Sequence, residues 1–249
     1  MEEFFKLKVG DLYLYGVKHI AKPKSPVVLF LHGFTGHHIE ANRLYTDLAR
    51  LLCSNGISVV RFDYRHHGDS EGEFEDFTLD SAFEDSIKVY DEIVKSSEFD
   101  TDNIGLVGLS LGAGVAQYLA SKREVKAIVF LSPVSDPCLK SLMDNRKENT
   151  SEDLIIWGAF AIKKKFYKSV LRHDLSIYAS KICVPSLIIH CMDDEVLPVS
   201  FAKNLASQLK GKVELLLLER GGHVFSDYYV KKKVMNVVLE WFKSYLFSR

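Results

Sequence analysis

Short apolar runs alternate with longer amphipathic stretches along most of the chain. Val27–Leu31 (VVLFL) is apolar throughout, as a strand buried on both faces must be. Ile57–Phe62, Ile104–Leu109, Ala127–Leu131, Ser186–His190 and Val213–Leu218 have the same character. Phe4–Val9 and Leu12–Val17 flank Gly10-Asp11, a turn dipeptide, and predict an antiparallel hairpin. Between these runs lie helical segments near residues 39–54, 79–97, 111–122, 199–210 and 228–246. Alternation of this kind predicts an α/β fold: a mainly parallel, eight-stranded sheet with helices on both faces and the opening hairpin at one edge.

One segment breaks the rhythm. Some fifty residues separate Leu131 from Ser186, where a direct crossover needs only about a dozen. Residues 134–182 therefore read as an insertion, a helical cap over the C-terminal edge of the sheet. Residues 1–133 and 183–249 would form the core. Long insertions in compact domains are usually functional or disordered. The aromatic residues Trp157, Phe160, Phe166, Tyr167 and Tyr178 point to an ordered cap. The run Lys163-Lys164-Lys165 reads as a solvated face.

Composition narrows the function classes. The 249 residues suit one large domain, and 47% hydrophobic residues supply its core. With 32 basic and 33 acidic residues the net charge is -1, so no broad electrostatic footprint for nucleic acid or an anionic membrane exists. Cys53, Cys138, Cys183 and Cys191 form no CxxC pair and read as reduced thiols. The acidic N-terminus lacks signal-peptide character. No apolar run approaches the ~20 residues of a membrane span. The expectation is a cytoplasmic protein without membrane insertion, with homodimerisation left open.

Gly108-Leu109-Ser110-Leu111-Gly112 matches G-x-S-x-G, directly after an apolar strand and before a helix-like run. A nucleophile elbow needs that setting, because it holds its serine on a strained strand-to-helix turn. The flanking glycines remove Cβ atoms that would clash as helix and strand close on each other. A serine hydroxyl needs a base. Among nine histidines, His223 in Gly221-Gly222-His223 follows the last strand and precedes the final helix. His32 reads as structural, His19 belongs to the edge hairpin, and His190 ends a buried strand. The pairs His37-His38 and His66-His67 do not face one another on regular structure, so no metal site is expected. Cys191–Pro198 carries three acids between serine and histidine, which gives the order Ser…Asp…His. Either Asp193 or Asp194 can orient the base. The strand VVLFL ends in His32-Gly33-Phe34-Thr35-Gly36, whose Phe34 N–H pairs with the Leu111 N–H as an oxyanion hole.

HGFTG, VRFDYRHHGDSEGEFEDFT, GLSLG, IIHCMDDEVLPVS and GGHVFSD, in this order, resemble the small bacterial cinnamoyl (feruloyl) esterases of the α/β-hydrolase superfamily. The match spans almost the whole chain, and VRFDYRHHGDSEGEFEDFT is its most family-specific part. The resemblance implies an α/β-hydrolase fold, with Ser110 as nucleophile and His223 as base. It also implies Asp194 as the acid, four residues before Pro198, and Phe34 and Leu111 as oxyanion donors. In that family the cap shapes the phenolic ester pocket. The chain departs from the family pattern at Leu109-Ser110-Leu111, where the family has His-Ser-Gln. It departs again at Cys191, where the family has glycine, and at His66-His67-Gly68, where it has Gly-His-Gly.

The expected function is carboxylic-ester hydrolysis through an acyl-enzyme, without cofactor or metal, on a small-molecule ester of hydroxycinnamate (feruloyl) type or another small ester. Asp136, Asp144 and Tyr167 are polar groups of the insertion available to a phenolic hydroxyl. The apolar segment LIIWGAFAI would equally suit an acyl chain, so a monoacylglycerol or short-chain lipase is the alternative. A non-catalytic binding protein on the same scaffold would show a damaged triad or elbow, and none is seen.

Overall fold

The computed structural model describes residues 1–136 and 153–247. Cys138, Asp144 and the rest of 137–152 lie outside the described residues. The strands β1 (Glu2–Val9), β2 (Leu12–His19), β3 (Ser25–Leu31), β4 (Ser58–Phe62), β5 (Phe99–Leu109), β6 (Ala127–Leu131), β9 (Ser186–Cys191) and β10 (Val213–Leu218) form one sheet. Its order is β1-β2-β4-β3-β5-β6-β9-β10. The pairs β1–β2 and β2–β4 are antiparallel, and every other pair is parallel. This is the eight-stranded sheet of the α/β-hydrolase fold that the sequence predicts.

Alternation along each strand splits the core in two. Val27, Leu29 and Leu31 point to one face, with α2 (Leu79–Lys95), α3 (Leu111–Ala120) and α6 (Ser200–Gln208). Val28 and Phe30 point to the other, with α1 (Leu44–Ser54) and α7 (Tyr228–Leu246). The central strands are apolar throughout because both their faces are covered. Helix α3 is apolar nearly all round, since it lies between the sheet and its neighbours and buries eight of its ten residues. The start of α2 is fixed by Thr78 and Ser81, each side chain accepting the other's backbone N–H at 3.0 and 3.1 Å. Asp227 caps α7 by accepting from Tyr229 and Val230 N–H.

Two expectations are corrected. A helix was expected from about residue 39, but α1 begins at Leu44. Glu40, Asn42 and Arg43 have φ of 58°, 55° and 58°, outside the helical region. The side chain of Glu40 and the backbone of His38 bind elsewhere, and this diverts the chain. The insertion is also not purely helical. Its described part opens with an antiparallel hairpin, β7 (Leu154–Trp157) and β8 (Phe160–Lys163). The two-residue connection places Gly158 first, at φ 61°, the glycine-first form that tight hairpins favour. Two helices follow, α4 (Lys164–Leu171) and α5 (Leu175–Ala179).

The insertion is bound to the core. Ile155, Ile162, Phe166, Val170 and Leu175 are buried with the α2–α3 face. Lys163 and Lys165 reach Asp76 at 2.7 and 2.5 Å, so two lysines of the run are tethers and not a bare solvated face. Hydrogen bonding from both ammonium groups holds the Asp76 carboxyl down to about 2. Arg172 and His173 pair with Asp80, and Leu79 N–H donates to Ser169 Oγ at 2.9 Å. No helix among the described residues is long and apolar enough to cross a membrane. Cys53, Cys183 and Cys191 carry free thiols, and burial pushes Cys191 up to about 12.

Candidate active site

The predicted residues stand in loops that leave the C-terminal ends of parallel strands β3, β5, β9 and β10, where open α/β sheets place their sites. Ser110 follows β5 and precedes α3. Its backbone is at φ 54°, ψ -117°, a conformation costly to any residue with a Cβ. The turn is locked by Ser110 N–H donating to Leu131 O at 2.9 Å and by Ala113 N–H donating to Ser110 O at 3.0 Å. The glycines permit the close approach. A Cβ on Gly112 would stand 2.0 Å from Leu31 O, and one on Gly108 would stand 2.4 Å from Gly112 O.

His223 lies in the loop after β10. Its Nδ1 is 2.8 Å from Asp194 Oδ2. With the proton on Nδ1, the ring presents Nε2 as an acceptor. Asp194 has no exposed side-chain surface, and its other oxygen accepts from Val196 and Leu197 N–H, both at 2.8 Å. Burial alone would raise this carboxyl, but the bonds from His223 and the two amides outweigh it and hold the group below its usual value. Asp193 turns the other way. Its two oxygens accept from Gly221 and Gly222 N–H at 3.1 and 2.9 Å, so it fastens the loop that carries His223. His190 sits behind Asp194, with Nε2 3.0 Å from Leu197 O, and burial lowers its pKa.

The loop after β3 abuts the elbow: a Cβ built on Gly33 would be 3.4 Å from Ser110 Cβ. His32 is fully buried, and desolvation brings it down to about 4, so it is neutral. Its Nε2 accepts Tyr64 N–H at 3.1 Å, and Nδ1 therefore donates to Gly33 O at 2.9 Å. Leu111 opens α3, where first-turn N–H groups have no acceptor within the helix. The Phe34 ring is clamped by Phe166 at 5.0 Å, Trp157 at 5.2 Å and Phe74 at 5.5 Å between centroids. The insertion thus rests on the residue expected to donate to the oxyanion.

Of the polar groups expected to meet a phenol, Asp136 is buried and its carbonyl accepts from Asn204 Nδ2 at 2.9 Å, while Tyr167 packs against the core. Among the described residues, His38, Asp63 and Asp69 come within metal-ligand spacing. Asp63 is already taken by His38 N–H, His38 Nδ1 and Asp69 N–H at 2.5, 2.8 and 2.9 Å, which makes the cluster a loop clasp. Sequence reasoning missed Glu40, a buried carboxyl bonded to Gly33 N–H at 2.6 Å. The available signal was an acidic residue in this loop, seven residues beyond Gly33.

A sequence profile of the alpha/beta hydrolase family matches residues 28–161, more than half of the chain. The chain belongs to the alpha/beta hydrolase family. It is 30% identical over 203 residues to the lysophosphatidylserine lipase ABHD12 of Xenopus tropicalis, covering 78% of this chain and 49% of that protein. It is 23% identical over 218 residues to the human mitochondrial palmitoyl-protein thioesterase ABHD10, covering 81% of this chain and 68% of that one. Est1E from Butyrivibrio proteoclasticus with bound ferulic acid superposes with a TM-score of 0.84 at 23% identity, over 96% of this chain and 99% of that one. At this identity the superposition shows a shared hydrolase fold. The chain's curated relatives thus include a thioesterase and a lipase.

Proposed function

We propose that the chain is a serine carboxylic-ester hydrolase. One observation carries the reading: His223 Nδ1 stands 2.8 Å from Asp194 Oδ2, at the sheet edge where Ser110 is held at φ 54°. Ser110 Oγ attacks the ester carbonyl as His223 Nε2 takes its proton. The C–O bond to the leaving alcohol then breaks, and the imidazolium returns the proton to that oxygen. Water, deprotonated by His223, releases the acid and regenerates Ser110. Asp194 holds the tautomer and stabilises the imidazolium. The Phe34 and Leu111 N–H groups meet the oxyanion.

The proposed substrates are hydroxycinnamate-type esters. The partly exposed aromatic rings of Phe34, Phe74 and Trp157 support this reading, as does the likeness to Est1E. The likeness to ABHD12 favours a second reading, a lipase for a monoacyl lipid. The test compares kcat/KM for methyl ferulate, methyl cinnamate and a monoacylglycerol at one pH. Ferulate preferred over cinnamate indicates a polar anchor for the phenol, because a purely apolar pocket discriminates weakly. Rapid monoacylglycerol cleavage without hydroxycinnamate turnover moves the enzyme to the second reading.

A further inference from the structure

Gly33 has no side chain to fix its orientation, yet its two peptides stand directly beside Ser110. Each is pinned from outside. The carbonyl of the Gly33–Phe34 peptide accepts from His32 Nδ1 at 2.9 Å and from Gly36 N–H at 3.1 Å. The N–H of the His32–Gly33 peptide donates to Glu40 Oε1 at 2.6 Å. Glu40 is 5% exposed, and its other oxygen accepts from the adjacent Ala41 N–H at 3.2 Å. Its backbone is at φ 58°, ψ 165°, a region that in practice belongs to glycine. The loop closes on this carboxyl, since a Cβ on Gly36 would lie 2.8 Å from Glu40 Oε1. A carboxyl buried on a strained backbone is expensive, and the bond it makes reaches into the nucleophile's wall.

We propose that Glu40 is a positioning residue for the oxyanion hole: by holding Gly33 N–H it fixes the direction in which Phe34 N–H points. A trans peptide aims Phe34 N–H opposite to Gly33 C=O, so pinning both peptides at Gly33 sets that donor before substrate arrives. Burial raises the Glu40 carboxyl above its usual value. Either protonation state keeps an oxygen that accepts from Gly33. The inference rests on the serine-hydrolase reading above.

The test uses three variants of the full chain. Glu40→Gly removes the acceptor while relieving the backbone, so the fold is protected. Glu40→Asp shortens the reach by one methylene and decides the matter should the glycine variant unfold. Glu40→Gln keeps a carbonyl oxygen in place. Loss of one oxyanion donor costs ~10²–10³ in kcat, so misdirecting it should cost about tenfold or more. The expected result is that fall in kcat for the Gly and Asp variants, with KM nearly unchanged and Tm preserved. The Ki of phenylboronic acid, whose tetrahedral adduct needs the same donor, should rise by the same factor. Glu40→Gln should recover most of both. Unchanged kcat in the removal variants, a kcat loss without the matching Ki rise, or a Gln variant as impaired as Gly would overturn the proposal. Failure of the underlying reading looks different: phenylboronic acid would not inhibit the parent enzyme, and Ser110→Ala would still turn over.

Discussion

Two adjacent carboxylates after β9 divide their work. Asp194 is sealed from solvent and bonded to the imidazole, whereas Asp193 is exposed and bonded to two glycine amides. Asp194→Asn should therefore cost far more activity than Asp193→Asn. An amide favours the wrong imidazole tautomer, and the corresponding exchange in a serine protease costs ~10⁴ in turnover. For Asp193→Asn the amide oxygen still accepts one of the two N–H groups, so a loss of about tenfold or less is expected. Steady-state kcat on a chromogenic acetate ester measures both, and equal losses would mean the wrong carboxylate has been assigned. The strand-end positions of Ser110 and His223 were legible because each sits in a short motif. Asp193 versus Asp194 was not legible from residue type alone, since both follow the same strand and only the backbone decides which way each points. The glutamate at position 40 was visible but its role was not, because Glu40, Asn42 and Arg43 take left-handed backbone in a loop whose pattern reads as helix.

At the scale of elements, the insertion is held by apolar packing more than by its ion pairs. Asp76, Lys163 and Lys165 are each a third or more exposed, and such pairs contribute little. Phe166 is 1% exposed and stacks on Phe34 at 5.0 Å. Asp76→Ala should leave the unfolding midpoint within about 3 °C of the parent. Phe166→Ala should cost about 3–5 kcal/mol and lower kcat as well, because it frees the ring of Phe34. Thermal unfolding and kcat on the two variants check this, and a larger midpoint loss for Asp76→Ala would reverse the assignment. Sequence reading expects a helical cap over residues 134–182, but the first element of its described part is a hairpin. LIIWGAFAI is a continuous apolar run, ambiguous between helix and strand, and the glycine at its centre was the missed hairpin turn.

Across the whole molecule the eight strands were readable, because burial on both faces writes an apolar run into each central strand. The buried histidines give the molecule a pH limit. Burial lowers His19 and His32 to about 4, and it lowers His66, His67 and His190 as well. Between pH 6.5 and 4 the unfolded chain binds protons at these rings that the native state refuses, so stability falls as pH falls. For His19 and His32 the loss from pH 7 to pH 5 is roughly 2 kcal/mol each. Asp85, raised to about 6 by burial, and Glu40, also raised, act in the opposite sense, but five histidines oppose two carboxylates. The urea midpoint should be clearly lower at pH 5 than at pH 7. An equal or higher midpoint at pH 5 would show that these rings are protonated in the native state.

The central claim is a covalent intermediate on Ser110, and mass spectrometry of the chain after reaction with a fluorophosphonate ester tests it most directly. The account predicts one phosphonyl adduct per chain, located by peptide mapping on Ser110. The adduct should be absent in Ser110→Ala and slow to form in His223→Ala, with ester hydrolysis lost in parallel. An adduct on another residue, or a Ser110→Ala protein that hydrolyses the chromogenic ester at a rate close to the parent's, would contradict it.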